Sequence, residues 1–212
     1  MNDQKTYQET RAQTISKKLT RRNFGVSICQ TLAEAKEQAL SMIQEDKTVA
    51  FGGSQTLGEV GIIDALYLRA QPIIDRDLAK DLEERHQLMK QSLLADYYLT
   101  SINGISEEGI LVNIDNIGNR VAALTYGPDQ VIAFVGINKL YGNLNTTIDM
   151  VRKRTAPLNS FRLGLQTTPC IKTGSCGDCL KEECICNIIS LTRRSALADR
   201  IHILLILEEA GF

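Results

Sequence analysis

Almost no charge is left over in this chain: 24 Lys and Arg against 25 Asp and Glu give a formal net charge of −1. Binding to phosphate backbones needs a clustered basic footprint. The basic runs here (Lys17-Lys18 with Arg21-Arg22, Arg152-Lys153-Arg154, Arg193-Arg194) are short and balanced by acids. They read as solvated helix faces, and no nucleic-acid partner is expected. Long apolar runs are missing too. No stretch approaches the ~20 apolar residues of a membrane span. The opening MNDQKTYQETRAQ is polar throughout, unlike a secretory signal, so the cytoplasm is the expected location. Histidine is scarce, at two. His86, among Glu83, Glu84 and Arg85, reads as exposed; His202, in an apolar run, reads as a satisfied core residue. With no Gly-x-Ser-x-Gly, a Ser–His–Asp hydrolase has little support. G-x-G-x-x-G and G-x4-G-K-[ST] are absent as well, so no nucleotide cofactor is evident. Internal repeats and low-complexity segments are also missing.

What is present suits one soluble α/β unit. The 212 residues are 43% hydrophobic and 23% charged, enough for a core that needs no disulfides. Residues 4–22 space Tyr7, Ile15 and Leu19 for one apolar helix stripe. Phe24 to Cys29 reads as a strand, and Cys29 as a packed core thiol. Thr31 and Glu34 form a capping box that opens a helix to about Gln44. Thr48 to Gly53 reads as a buried strand, Ser54 to about Arg69 as a helix, Pro72 to Asp75 as a strand, Leu78 to Ser92 as a helix and Asp96 to Ser101 as a strand. Three apolar runs follow, GILVNID (109–115), RVAALTYG (120–127) and QVIAFVG (130–136), and all three read as strands between turns. A helix from about Asn145 to Arg154 and a last buried strand, RIHILLILEE (200–209), complete the pattern. Alternating strands and helices predict a largely parallel sheet with helices on both faces. One domain is expected over 1–212: a main body at 12–157, a cysteine-rich loop at 158–190 and a returning strand at 198–212.

Three loops collect polar groups at predicted strand ends, where open α/β sheets bind ligands. Ala50 to Glu59 places Gly52-Gly53-Ser54 between a strand and a helix. Glycine permits close approach of backbone to a phosphate or carboxylate at a helix N-terminus, with Ser54 and Thr56 as extra donors. The plainer reading is a turn needed for tight packing. Thr100 to Leu124 concentrates Asn103, Ser106, Glu107, Glu108, Asp115, Asn116, Asn119 and Arg120. A carboxylate there is a nucleophile, a base or a cation ligand, or simply a solvated turn residue. Gly136 to Leu140 ends another strand with Asn138 and Lys139. The lysine either meets an anion or is a surface residue on a loop.

Five of the six cysteines fall between Pro169 and Asn187. In a reducing compartment a disulfide framework is not expected. The spacing is Cys170-x5-Cys176-x2-Cys179-x4-Cys184-x-Cys186. A C-x2-C step lets two thiolates share a metal through a tight turn, and Gly174, Gly177 and Asp178 suit one. Zinc and a [4Fe–4S] cluster both accept four thiolates. Disulfides or free buried thiols remain the other readings.

The segments GGSQTLGEVG (52–61), ADYYLTSINGISEEGILVNIDNIGNRVAALTYGP (95–128), VIAFVGINKL (131–140), RKRTAPLNSFRL (152–163) and TPCIKTGSCGDC…CICN (168–187) together resemble the lactate-utilisation (LUD) domain family, in order, from about Ala12 to Gly211. The resemblance implies a fold like the NagB/RpiA/CoA-transferase group. It also implies a bacterial role in a multi-protein iron–sulfur system that oxidises L-lactate to pyruvate, as a subunit, an accessory or a non-catalytic interaction partner. The family-like positions are Gly52, Gly53, Ser54, Thr56 and Glu59; Asn103, Glu107, Gly109, Asn119 and Arg120; and Asn138 and Lys139. These imply a site for a small anionic ligand. Where such proteins usually read Ala-x-Thr-Gly, this chain has Ser106-Glu107-Glu108-Gly109. That is similar to the Ser-Glu-Asn-Gly of some CoA-transferases, in which the Glu is the nucleophile. The second reading is therefore an enzyme acting through Glu107 on a small phosphorylated or CoA-linked acid. Cys184 is usually a basic residue in the proteins this chain resembles. That points to Cys170, Cys176, Cys179 and Cys186 as metal ligands, with Cys184 as a spare.

Overall fold

The structure, a computed structural model, describes residues 3–212. In chain order the elements are α1 (Asp3–Thr20), β1 (Gly25–Cys29), α2 (Leu32–Met42), β2 (Val49–Phe51), α3 (Gln55–Val60), α4 (Ile62–Leu68), β3 (Ile73–Ile74), α5 (Leu82–Gln91), β4 (Tyr97–Ser101), β5 (Gly104–Ile105), β6 (Leu111–Asp115), α6 (Asn119–Thr125), β7 (Gln130–Gly136), α7 (Leu144–Met150), α8 (Ala156–Arg162), α9 (Pro169–Thr173), β8 (Ile188–Thr192) and β9 (Ile201–Ile206).

Six strands form one sheet in the order β1-β9-β7-β4-β2-β3, every neighbour parallel. The pleat sends successive side chains to opposite faces. Ala50, Tyr98, Val131, Ala133, Val135, Ile203 and Leu205 pack with Ala12, Ile15 and Leu19 of α1 and with Ala123 and Leu124 of α6. Val49, Phe51, Leu99, Ile132, Phe134, Leu204 and Ile206 pack with Ala35, Ala39, Leu57, Val60, Ile62 and Leu66 of α2, α3 and α4. Both faces are covered, which is why these strands read as unbroken apolar runs. The expected α/β architecture, a largely parallel sheet with helices on both faces, is the one found. Half of the capping box at Thr31 forms as expected, with the Glu34 N–H donating to Oγ1 at 3.1 Å; Glu34 Oε2 accepts from Gln30 N at 2.7 Å, one residue before the cap.

Two expectations are corrected. Residues 120–127 are not a strand, because α6 occupies Asn119–Thr125. The Asp115 carboxylate accepts from Arg120 N at 3.0 Å and Val121 N at 3.2 Å, satisfying donors that a helix start leaves open. Gly118, at φ 86, supplies the left-handed entry. Because β4 and β7 are parallel neighbours, the chain between them has to cross over, and α6 is part of that crossover. A separate three-stranded antiparallel sheet, β5-β6-β8, stands beside the main one. Its outer strand, β8, comes from residues just after the cysteines and was not foreseen. The helix expected to stop at Arg154 instead runs on. A π-turn at Val151–Thr155 joins α7 to α8, whose second residue is Pro157. Proline leaves a carbonyl of the preceding turn without its usual N–H donor, and the helix widens at that turn.

Candidate functional site

Parallel strands place their carboxyl ends along one edge of the sheet. The loops after β2, β4 and β7 therefore meet there, together with the end of β6. Between them lies a cavity of ≈ 180 Å³ lined by Ser54, Thr56, Arg76, Asn103, Asp115, Asn119, Arg120, Lys139, Thr155 and Arg162, among others. Of the positions singled out in the sequence, Gly53, Ser54, Thr56, Asn103, Asp115, Asn116, Asn119, Arg120 and Lys139 line it.

The two glycines are closely approached by side chains. A Cβ on Gly52 would lie 2.8 Å from Arg120 Cγ and Cδ, and one on Gly53 would lie 2.6 Å from an Arg76 terminal nitrogen. The glycines make room for two arginine side chains. The helix behind them, α3, is only six residues long, and Ser54 Oγ accepts from Leu57 N at 3.4 Å. Positive charge at this edge therefore comes from side chains more than from a helix end.

Arg120 is held in place: its Nη2 donates to Ile114 O at 2.6 Å, and its Nε lies 3.4 Å from Asp115 Oδ1. Lys139 is no surface lysine. It is 2% exposed and donates to Thr56 Oγ1 at 2.7 Å. Burial pushes its pKa down to about 7, with nearby Glu59 opposing and Arg120 reinforcing. Glu59 and Asn138 do not line the cavity; they fasten the segment that closes it. Glu59 Oε2 accepts from Gly211 N at 2.7 Å, and the Asn138 amide accepts from Ala210 N and donates to Gly211 O, both at 3.0 Å. Gly211 is needed at φ +60, since a Cβ there would sit 2.5 Å from Thr56 Oγ1.

Glu107 lies elsewhere. Its side chain is exposed, its backbone N–H donates to Gly142 O at 2.8 Å, and it is not among the cavity residues. Sequence reasoning missed Arg76, Thr155 and Arg162. Arg76 follows the short edge strand β3, and Thr155 and Arg162 lie on the helical stretch through the π-turn. No local motif marks them, because their positions depend on how that helix crosses the sheet edge. The π-turn itself, flagged only by Pro157, is the one available signal, as such turns recur at functional sites.

A second cavity, also ≈ 180 Å³, is lined by all five clustered cysteines, Cys170, Cys176, Cys179, Cys184 and Cys186. Ala156 and Ile185 line both cavities, so the two share a wall. Thr168 Oγ1 lies 3.2 Å from Cys170 Sγ, and Cys184 Sγ accepts from Cys186 N at 3.5 Å. Burial, then the neighbouring thiols Cys184, Cys176 and Cys170, push the Cys186 pKa up to about 12. Asp178, the one acidic lining residue, is paired with Arg152. Among the described residues no three His, Cys, Asp or Glu side chains converge as ligands to a single ion. Cys29 is buried apart from this group, and His202 bonds Ser27 Oγ at 2.9 Å. Among the described residues no helix is long and apolar enough to cross a membrane.

Comparison with known proteins follows from this geometry. The LUD domain family model matches residues 12–206. A crystal structure of a DUF162 family protein from Deinococcus radiodurans superposes with a TM-score of 0.52 at 12% identity, covering 94% of this chain and 98% of that one. At that identity the likeness speaks for the fold alone. No curated protein matches the sequence. With the family model spanning nearly the whole described chain and the sheet in agreement, the chain belongs to the LUD domain family, a lactate-utilisation-related one.

Proposed function

We propose that this protein is a cytoplasmic component of a redox system that oxidises L-lactate to pyruvate, and that it carries a [4Fe–4S] cluster in its cysteine cavity. The observation that supports this most is the donor set: five cysteines line one cavity. An all-thiolate lining suits zinc or a [4Fe–4S] cluster chemically. The resemblance to proteins of an iron–sulfur lactate-oxidising system favours the cluster. Cys170, Cys176, Cys179 and Cys186 would hold it, with Cys184 beside them. The cluster would supply one-electron transfer to or from partner iron–sulfur subunits. A reducing compartment keeps such thiols free.

The test is anaerobic purification followed by iron and sulfide analysis. About four irons and four sulfides per chain, with a brown colour, are expected. A colourless protein holding one zinc per chain overturns the reading. Loss of binding to the partner subunits on cluster removal would identify docking, rather than electron transfer, as the cluster's role.

A second reading has its own support. The polar cavity is a site for a small anion, on the strength of four cations lining it. Its position favours Lys139 and the arginines over Glu107, whose carboxylate faces solvent.

A further inference from the structure

The polar cavity holds more positive charge than its own residues neutralise. Arg76, Arg120, Lys139 and Arg162 line it against a single lining carboxylate, Asp115, which already pairs with Arg120. Within the lining the balance is three positive charges with Lys139 charged and two with Lys139 neutral; Asp77, outside it, bonds Arg85 at 2.8 Å and lies 3.8 Å from Arg76 Nε. Burial, and then Arg120 and Arg76, hold the Arg162 pKa below its ordinary value, so the guanidiniums feel one another. Like charges gathered in a partly buried space repel, and the cost grows as water is excluded. Such an arrangement suits a multiply charged counter-anion.

Two buried donors on the same walls make no hydrogen bond within the protein. Arg76 Nε, on a side chain 12% exposed, has only a long ion pair, 3.8 Å from Asp77 Oδ1. Thr155 Oγ1, on a residue 3% exposed, has no partner at all. Buried polar groups are normally satisfied, and these two come from different elements, the loop after β3 and the π-turn. An acceptor-rich group in the cavity would suit both.

We propose that this cavity binds the phosphate group of a small phosphorylated compound, held by Arg76, Arg162 and Thr155, with Arg120 fixed behind it by Asp115. The proposal rests on the small-anion reading of the same cavity. A monocarboxylate such as lactate brings one negative charge and two acceptor oxygens. A phosphate monoester brings nearly two charges and three acceptor oxygens, and arginine forks match it. The volume, ≈ 180 Å³, holds roughly six waters at liquid density, enough for a phosphate and a short carbon chain.

Isothermal titration calorimetry on the full chain, in chloride buffer at neutral pH, tests this with four probes: inorganic phosphate, pyrophosphate, glycerol 3-phosphate and L-lactate. At least one phosphate probe is expected to bind at one site at least ~10-fold more tightly than lactate, by the extra charged hydrogen bonds. Tightest binding by glycerol 3-phosphate marks an ester as the ligand, by pyrophosphate a diphosphate, and by inorganic phosphate the free ion. Arg162→Gln is expected to weaken the phosphate probes by about 10- to 100-fold, the loss of a charged hydrogen bond. Thr155→Val removes a hydroxyl with no internal partner; it is expected to weaken them several-fold without lowering the melting temperature. Lactate binding as tightly as phosphate overturns the phosphate assignment and leaves the small-anion reading standing. Failure of all four probes overturns both. Phosphate affinity unchanged in both variants puts the binding elsewhere and overturns the proposal.

Discussion

Lys139→Met isolates the energetics of the most deeply buried cation. In the folded chain Lys139 is 2% exposed and its pKa is pushed from 10.5 to about 7, first by burial. An unfolded lysine keeps its ordinary value. Below pH 7 both states are protonated, so the folded state bears the whole penalty of a buried charge. Between pH 7 and 10.5 the unfolded state binds the proton and the folded state does not, so stability rises with pH at about 1.4 kcal/mol per unit. Methionine fills similar space and does not titrate. It leaves the Thr56 hydroxyl without its donor, an offset independent of pH. The difference between wild type and variant therefore carries the lysine's own titration. Urea unfolding followed by circular dichroism, in phosphate-free buffer so that no bound anion shifts the balance, is the assay. From pH 7.5 to 9 the wild type is expected to gain about 2 kcal/mol on the variant. Parallel stability curves across that range would mean that Lys139 stays charged in the fold, and the argument from burial would be wrong.

Other outcomes follow from the same geometry. Gly52→Ala drives a methyl to within 2.8 Å of Arg120; it is expected to cost about 1–3 kcal/mol by overpacking, read by denaturant melts. Asp115→Ala removes the acceptor for Arg120 N, Val121 N and Arg120 Nε. A loss of about 3 kcal/mol is expected for breaking this network, with the melting temperature as the check; a loss below half of that would mean α6 keeps its start without the carboxylate. Cys176→Ser is expected to abolish stoichiometric iron loading and Cys184→Ser to leave it intact, measured as iron and sulfide per chain. Equal loss in both would bring Cys184 into the ligand set. Arg200 donates from its guanidinium to the carbonyls of Pro128, Leu124 and Ala123. Arg200→Met strands these three acceptors and is expected to cost about 3 kcal/mol or more, seen as a lowered urea midpoint.

Local chemistry made several features of the chain legible. Val131 to Val135 and Ile203 to Ile206 are fully apolar runs, because both faces of a parallel sheet are covered. The Thr31 and Glu34 cap needs only four consecutive residues, so it could be read directly. The stretch at 120–127 was misread for the opposite reason. Its apolar residues fit either period, and what makes it helical is Asp115, whose place beside its amides is set by the second sheet. β8 was hidden because its burial alternates only against β6, a strand far away in sequence.

The same division runs through the site. The amino-acid order determined the strand-end loops carrying Ser54, Thr56, Asn103, Arg120 and Lys139, and the crowding of cysteines after Pro169, because turn residues and short spacings act within a few peptide units. Tertiary structure decided which groups meet. It brought Arg76, Thr155 and Arg162 into the cavity, left Glu107 in solvent, turned Gly52 and Gly53 into space for arginines, and set the cysteine cavity against the polar one across Ala156 and Ile185. Those choices depend on where helices cross the sheet edge and on which charges water no longer screens, and neither is a property of any short stretch of chain.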